Sequence, residues 1–216
     1  MSKVISFKKG ADIILKGKAK EVICDNVISE SFAIQPDDFF SLVPKLEIRE
    51  NDNISQGSPI FYDKKNPNIK FVSPVSGVIS KIVRGPKRKI ESVEIEFNGD
   101  KKIIHEIPKK LSRENIIQLL TLSGCWAFIR QRPYNVIANP NDIPKSILIS
   151  CFTSAPLDVD FDFILKNNQK DFQKGIDILN KLSNGKTIVT VNSESNTFFD
   201  KINNVEIIKI NGPHPS

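Results

Sequence analysis

The stretch from residue 45 to residue 96 constrains the fold of this chain more than any other. Short apolar pairs at 60–61, 71–72 and 78–79 alternate there with residues that favour turns. The turn signals are Gln56-Gly57, Asn66-Pro67-Asn68 and Ser76-Gly77. Regular turns between apolar pairs of period two predict a small all-β unit.

Two segments of this stretch resemble the barrel-sandwich domains that carry biotin or lipoic acid. They are 51–60, NDNISQGSPI, and 71–78, FVSPVSGV. In that family the modified lysine lies in a Met-Lys-Met hairpin. The matching tip here, Lys64-Lys65-Asn66-Pro67, contains neither Met. We interpret its lysines as solvated hairpin residues rather than modification sites.

The composition fits a soluble chain of one large or two small domains. Of the 216 residues, 39% are apolar and 26% are charged, which is ordinary for a folded protein. No apolar run approaches the roughly 20 residues that cross a bilayer. The first residues show no signal peptide, so a cytoplasmic location is the default expectation.

The formal charge of +6 is concentrated between residues 81 and 113. Ten Lys or Arg and five Asp or Glu lie there, which leaves 10 − 5 = +5. Such a patch fits nucleic acid, an acidic protein or anionic lipid headgroups. The alternative, a solvated hairpin rim, is favoured for most of these residues. The basic run 81–89 contains no aromatic residue for base stacking, which argues against nucleic acid.

The cysteines and histidines predict no metal site. Cys24, Cys125 and Cys151 form no C-x-x-C pair and indicate reduced, partly buried thiols. His105 and His214 have no metal partner at helical spacing. The acidic loop 158–162, DVDFD, is spaced like a cation site but lacks the glycine and distal glutamate of an EF-hand loop.

We expect three regions along the chain. Residues 1–35 are predicted to be extended segments that lead into or wrap the β domain, which spans 36–108. Residues 109–216 are predicted to form a Rossmann-like α/β layer. Alternation over 92–97 predicts a strand, Asn98-Gly99-Asp100 predicts a hairpin turn, and 103–107 is the expected returning strand. Ser112 as N-cap and Gly124 as C-cap predict a helix over 113–123.

The second half shows strand and helix signals in alternation. Strands are predicted at 146–152, 186–191 and 205–210, a helix at 168–183, and a short helix or turn at 194–201. This order predicts a parallel sheet with right-handed crossovers. With three strands and a chain that stops at 212–216, GPHPS, we expect the layer to be truncated.

Six residues are candidates for ligand or partner contact. Arginines beside aromatic residues can stack on or pair with an anion, which nominates Trp126, Arg130 and Arg132. The favoured alternative places Trp126 and Phe128 in the core, with the arginines capping carbonyl groups. Ligands approach parallel sheets at the carboxyl ends of strands, which nominates a second group. That group is Gly212, Pro213 and His214. The sequence shows no catalytic constellation, so the chain alone is not expected to be catalytic.

Several segments together resemble the A subunits of sodium-translocating NADH:quinone reductases. They include DKKNP at 63–67, RGPKR at 84–88, RQRPY at 130–134 and GPHPS at 212–216. The resemblance implies a peripheral subunit on the cytoplasmic face of the inner membrane. Its complex oxidises NADH, reduces ubiquinone and exports sodium. The implied partners are the other subunits, including one in the membrane, and quinone contact is associated with the A subunits.

The resemblance implies that the flavins and the iron–sulfur centre belong to other subunits. Related flavin subunits of respiratory complex I carry a glycine-rich loop after Ser-Gly, whose backbone N–H groups reach a phosphate. Here Ser123-Gly124 is followed by Cys-Trp-Ala-Phe-Ile at 125–129, whose side chains block that approach. We therefore expect no cofactor in this chain. Two other hypotheses stay open: a biotinyl- or lipoyl-like carrier, and a nucleic-acid-binding module that uses residues 81–113.

Overall fold

The computed structural model describes residues 3–17, 19–23, 29–194 and 198–215. The chain divides into two compact units. The α/β unit comprises Met1–Cys24 together with Ile143–Ser216, and the β unit comprises Asp25–Asp142. These limits differ from the predicted ranges 1–35, 36–108 and 109–216 in two ways: residues 1–24 are grouped with the second half of the chain, and residues 109–142 are grouped with the β unit.

The regular elements in the described part of the chain are mostly short strands. In chain order they are β1 (Lys3–Ser6), β2 (Ser31–Ile34), β3 (Pro44–Leu46), β4 (Asn53–Ile54), β5 (Pro59–Asp63), β6 (Asn66–Val72), β7 (Gly77–Arg84), β8 (Ile90–Phe97), β9 (Arg130–Gln131), β10 (Val136–Ile137), β11 (Ser146–Cys151), β12 (Lys186–Asn192) and β13 (Glu206–Asn211). The α-helices are α1 (Arg113–Leu122), α2 (Phe161–Leu165) and α3 (Gln169–Leu179), and 3₁₀ turns occur at Pro36–Asp38, Pro86–Arg88, Cys125–Phe128 and Phe198–Lys201. Within the described ranges, no helix has the length and apolar character that a membrane span requires.

Two antiparallel sheets build most of the β unit, as the turn spacing predicts. One has the strand order β2-β8-β7-β4, and the other has the order β3-β5-β6. Their buried apolar residues are Ile60, Phe61, Ile69, Phe71, Ile79, Ile90, Val93 and Ile95. The rings of Phe61 and Phe71 stack with centroids 4.9 Å apart across the β5–β6 pair. Burying such side chains supplies the main favourable free energy of the unit.

Gly77 allows β7 and β8 to approach each other closely. A Cβ atom built at this position would lie 1.9 Å from the carbonyl oxygen of Glu96. Only glycine fits there without moving a strand. The turn signal Ser76-Gly77 in the sequence therefore reflects a contact between backbones.

The predicted hairpin after β8 is wrong. β8 pairs with β2 on one side and with β7 on the other, so it offers no free edge to a returning strand. Residues 103–107 form no strand. Instead, the backbone N–H of Ile103 donates to the carbonyl of Gln56 at 2.9 Å. A local turn signal at Asn98-Gly99 cannot reveal that both edges of β8 are already occupied.

Helix α1 confirms the prediction for 113–123. The Ser112 hydroxyl accepts a hydrogen bond from the backbone N–H of Asn115 at 3.3 Å, as an N-cap does. Gly124 follows the helix with a left-handed φ of 78°. The helix packs on β6, and its Ile116 is fully buried. The segment after Pro108 thus belongs to the β unit.

The α/β unit has one parallel sheet with the order β1-β13-β12-β11. The predicted parallel layer is confirmed for the strands at 146–152, 186–191 and 205–210. Its core lies on one face, under α3 and the turn Phe198–Lys201. The buried members are Cys151, Ile176, Val189, Val191, Phe198 and Phe199. Helix α3 begins at Gln169 and ends at Leu179, so it ends four residues before the end of the predicted helix 168–183. Of the predicted turn 194–201, residues 195–197 lie outside the described ranges.

The N-terminal strand is the main correction to the predicted organisation. The prediction has residues 1–35 leading into or wrapping the β domain. β1 instead pairs in parallel with β13, from Lys3 opposite Ile208 to Ser6 opposite Asn211. An apolar pair such as Val4-Ile5 fits this edge, where unpaired N–H and C=O groups of β13 need partners.

Candidate functional site

The carboxyl ends of the parallel strands form the first candidate site. β11 ends at Cys151, β12 at Asn192 and β13 at Asn211, and ligands of open α/β sheets bind at such ends. A cavity of about 310 Å³ opens beside the ends of β11 and β12. It is lined by Cys151, Phe152, Thr153, Ala155, Asp158, Val159, Asp160, Phe161, Asp162, Asn192 and Glu194.

Two carboxylates of the acidic loop 158–162 are engaged in local hydrogen bonds. Asp158 accepts from the Thr153 hydroxyl at 2.7 Å and from the Val159 N–H at 2.8 Å, and these two bonds lower the pKa of Asp158. Asp160 caps α2 by accepting from the Phe163 N–H at 3.1 Å. Across the described ranges, no three His, Cys, Asp or Glu side chains are grouped as a metal ion requires. The acidic loop therefore supplies the N-cap of α2.

Cys151 lines the same cavity as a protonated thiol. Its side chain is buried, and burial, with a smaller contribution from the Asp162 charge, raises its pKa to about 11. A thiol with a raised pKa is a poor nucleophile at neutral pH, because the thiolate is the reactive form. The prediction of a buried thiol holds for Cys151. It is wrong for Cys125, which is exposed, and Cys24 lies outside the described residues.

The residues predicted at the end of β13 hold the N-terminal segment in place. The Ala11 N–H donates to the carbonyl of His214 at 2.8 Å, and the His214 N–H donates to the Asp12 carboxylate at 2.9 Å. A Cβ atom at Gly212 would lie 2.7 Å from the carbonyl oxygen of Phe7. Pro213 lies next to Gly10, whose Cβ would stand 3.0 Å from the proline ring. The turn at 212–214 therefore holds the segment 7–12 in place.

His214 brings one further polar side chain to this edge of the sheet. Its Nδ1 lies 3.0 Å from the hydroxyl oxygen of Ser154, in the loop that follows β11. Both side chains are half-buried. No sequence signal predicts this pair, because the two residues are far apart along the chain and belong to no motif. The pair ties the loop after β11 to the turn after β13.

The second group of predicted residues lies in the β unit. Trp126 is 4% exposed, and its indole N–H donates to the carbonyl of Ala138 at 2.7 Å. Its placement in the core is confirmed. The same expectation is wrong for Phe128, which is 75% exposed. Arg132 is exposed as well. The predicted residues are therefore split between the two units, with Gly212, Pro213 and His214 in the other one.

Arg130 combines a carbonyl contact with an aromatic one. Its Nη2 donates to the carbonyl of Asp38 at 3.4 Å, and its Cζ lies 5.7 Å from the ring centroid of Phe39. The role predicted for it as a carbonyl cap is thus observed. Its Nη1 is buried and, within the described part of the chain, forms no hydrogen bond.

A second cavity, of about 490 Å³, lies between α1 and β6. Arg113 stands at its wall and donates to the carbonyls of Pro140 and Asp142, at 3.0 and 2.8 Å. Glu114, Gln118 and Thr121 follow it along one face of the helix. The sequence prediction of α1 uses its caps and its apolar face and says nothing of its polar face. The spacing of these polar residues, at four and three positions, is the signal that could have indicated this wall.

Comparison with known families assigns both halves of the chain. A family model described as the NqrA N-terminal barrel-sandwich hybrid domain matches residues 5–98, and one described as the NqrA second alpha/beta domain matches residues 111–216. The chain belongs to the NqrA family. The predicted fold class is thereby confirmed, as is the resemblance seen in the sequence.

Curated relatives of this NqrA-family chain share one name, that of the A subunit of Na(+)-translocating NADH-quinone reductase. The protein of Histophilus somni strain 2336 is 32% identical over 218 residues, which cover 99% of this chain and 49% of the relative. The proteins of Haemophilus influenzae strain PittGG and Pasteurella multocida strain Pm70 are 32% and 29% identical over the same shares. The chain spans about half the length of the curated relatives it matches.

The hairpin tip of the NqrA barrel-sandwich domain is built differently from a carrier site. The turn between β5 and β6 contains Lys64 and Lys65, both exposed. The Lys65 ammonium donates to the carbonyl of Ser41 at 3.0 Å, and the Lys64 N–H donates to the carbonyl of Val43 at 2.9 Å. These bonds hold the tip against the segment that follows the first 3₁₀ turn. At Lys65 the ammonium itself is engaged, whereas at Lys64 the bond is made by the backbone N–H.

Proposed function

We propose that this chain serves as the A subunit of a sodium-translocating NADH:quinone reductase, in which NADH oxidation and quinone reduction drive sodium export. The observation that carries the proposal is the match of two successive NqrA domains, which together reach from residue 5 to residue 216. The relatives that match 99% of the chain bear the same subunit name. The chain works as a peripheral, structural or quinone-associated subunit on the cytoplasmic face of the membrane.

We further propose that the chain holds no flavin of its own. A flavin phosphate would need a glycine-rich loop after Ser123. The loop forms a 3₁₀ turn at Cys125–Phe128, with Trp126 and Ala127 buried. A Cβ at Gly124 would lie 2.7 Å from Cγ2 of Val72, so a side chain already fills the space beside this glycine. Both features support a packed loop rather than a phosphate cradle.

The proposed partners are the other subunits of the reductase, including one in the membrane. Flavins and the iron–sulfur centre are assigned to those subunits. The carrier hypothesis is disfavoured by the sequence of the tip, Lys64-Lys65-Asn66-Pro67, which lacks both methionines of the carrier hairpin. The nucleic-acid hypothesis gains no support from the basic stretch 81–113, where Lys89 already pairs with Asp37 and the Arg84 guanidinium donates to the carbonyl of Arg88 at 3.4 Å.

Deletion of the gene in its native host tests the assignment to the reductase. Membranes of the deletion strain are expected to lose sodium-stimulated NADH:quinone reductase activity, and a plasmid copy of the gene is expected to restore it. A tagged full-length protein should co-purify with the other subunits from solubilised membranes. Membranes that keep full sodium-stimulated activity would overturn the assignment.

Flavin content is measured separately on the purified full-length protein. After acid extraction, fluorescence is expected to show no stoichiometric FMN. One FMN per chain would contradict a flavin-free chain while leaving the assignment to the reductase intact.

A further inference from the structure

We propose that residues 7–23 bind directly to a membrane surface that contains anionic phospholipids. We call this segment the N-terminal strap. The proposal goes beyond the assignment to the reductase, which requires only contact with other subunits. Ile13, Ile14 and Leu15 are inferred to enter the headgroup region, and the lysines that flank them are inferred to pair with lipid phosphates.

The strap is held at one end, and its described residues are exposed. The Phe7 N–H donates to the carbonyl of Asn211 at 2.8 Å, and Asp12 and Ala11 are bonded to His214. Ile13 thus follows directly after two residues that are hydrogen-bonded to His214. Every described residue from 6 to 23 is exposed, and none beyond Ser6 lies in a helix or strand. The apolar triplet is therefore presented on a supported loop.

The exposure of the triplet is unusual for such residues. Ile13, Ile14 and Leu15 are 64%, 95% and 44% exposed, and Val22 and Ile23 are exposed as well. Single apolar side chains at a surface need no explanation, but contiguous ones mark a site of interaction. The strap therefore has a binding partner with an apolar layer.

The charge around the triplet defines the rest of the partner. Lys8 and Lys9 precede it, and Lys16 and Lys20 follow it, all with exposed side chains. None of these four lysines takes part in an ion pair in the described part of the chain. The nearest acid, Asp12, is bonded to the His214 N–H. The partner must therefore combine an apolar layer with negative charges on both sides of the point of entry.

An anionic bilayer has this arrangement, with phosphates above a hydrocarbon layer. Lysine stems can cover apolar surface while their ammonium groups stay at the headgroups. Basic clusters beside exposed apolar residues are the composition of segments that lie at an anionic interface. Protein interfaces favour Trp, Tyr and Arg at their centres and are poor in lysine. The strap has lysines with isoleucine and leucine, which favours lipid over protein.

Co-sedimentation of the purified full-length protein with vesicles tests the proposal. One set of vesicles contains phosphatidylcholine with phosphatidylglycerol, and the other contains phosphatidylcholine alone. We expect binding to the first set at low salt, little binding to the second, and weaker binding at high salt, because salt screens exposed charges.

Two variants locate the binding on the strap. Ile14→Asp places a charge at the most exposed position and is expected to lower the partition coefficient at least about tenfold, since a buried charge is costly in an interface. Leu157→Asp is the matched control, because Leu157 is 87% exposed in the same unit and has no lysine cluster beside it in the sequence. It is expected to bind like the original chain. Circular dichroism checks that both variants fold.

Several outcomes would overturn the proposal. They are equal binding to both sets of vesicles, no binding to either, and full binding by Ile14→Asp. A strap that meets another protein instead would appear as the second outcome. The vesicle assay contains no other subunit, so its failure leaves the assignment to the reductase untouched. Loss of reductase activity on gene deletion, conversely, says nothing about lipid contact.

Discussion

Replacing Gly124 by alanine tests the packing at the end of α1, on which the proposal of a flavin-free loop depends. Gly124 has a φ of 78°, a conformation that residues with a Cβ adopt at a cost. The added Cβ would lie 2.7 Å from Cγ2 and 3.2 Å from Cγ1 of Val72 on β6. The substitution thus introduces both backbone strain and a steric clash.

The two effects have separate magnitudes. A left-handed conformation costs a residue with a Cβ about 1–2 kcal/mol. Extra volume in a packed site costs about 1–3 kcal/mol, because side chains and strands must shift. The free energy of unfolding should therefore fall by about 2–5 kcal/mol in Gly124→Ala. In a Val72→Ala background the clash disappears, and the same substitution should cost only about 1–2 kcal/mol.

Urea denaturation followed by the fluorescence of Trp126 measures these values. Trp126 is the only tryptophan, it is buried, and it lies in the same unit as Gly124 and Val72. The four proteins of the double-mutant cycle give the interaction energy between positions 72 and 124. The expected coupling is the cost of the clash, with the double mutant more stable than additivity predicts.

A cost below about 0.5 kcal/mol for Gly124→Ala would refute the reasoning, since changes of that size are typical of unconstrained surface sites. An equal cost in the original chain and in the Val72→Ala background would refute the clash alone. In the first case the space beside Gly124 would be open, and the loop could admit the backbone contacts that a phosphate requires. The proposal of a flavin-free loop would then lose its structural support.

Three further predictions concern the α/β unit and the exposed thiol. Iodoacetamide should label Cys125 well before Cys151 at pH 8, because burial raises the pKa of Cys151 to about 11; peptide mass mapping follows the labelling, and equal rates would contradict the burial. The hydrogen bond from Lys186 lowers the pKa of Glu206, so Lys186→Met should raise that pKa, as a side-chain NMR titration would show. The stability that this pair contributes is present above the ordinary carboxyl pKa and is lost as the pH falls through the lowered pKa of Glu206. Gly175→Ala should stabilise α3 by about 1 kcal/mol, because the added Cβ meets no atom within 4 Å; an unchanged or lower melting temperature by circular dichroism would refute this.

Local patterns in the sequence predict the elements whose determinants are local. The alternation over 92–97 predicts β8, and the caps Ser112 and Gly124 predict α1. The residues that determine each of these elements lie within or directly beside the element, so the local sequence is sufficient to predict it. The local turn signal after β8 also predicts a strand at 103–107, which is not formed because β8 is already paired with its neighbour β7 on one edge and with the distant strand β2 on the other.

The candidate site is less accessible to sequence reasoning for the same reason. The size of Trp126 and its apolar neighbours suffice to place it in the core. The contact of Arg130 with the Asp38 carbonyl joins residues 92 positions apart, and the approach of Ser154 to His214 joins residues 60 apart. Phe128 is apolar but lies at the surface, because Trp126 and Ala127 occupy the buried positions of the turn Cys125–Phe128.

The pairing of β1 with β13 has a consequence for how the protein is made. Lys3–Ser6 leaves the ribosome long before its partner Glu206–Asn211 is synthesised. Until then β1 has no neighbouring strand, and the backbone N–H and C=O groups that later pair with β13 are open to chaperones or to other chains. Tags or deletions at the first few residues should therefore impair maturation of the distant half, while the β unit between them is complete much earlier during translation.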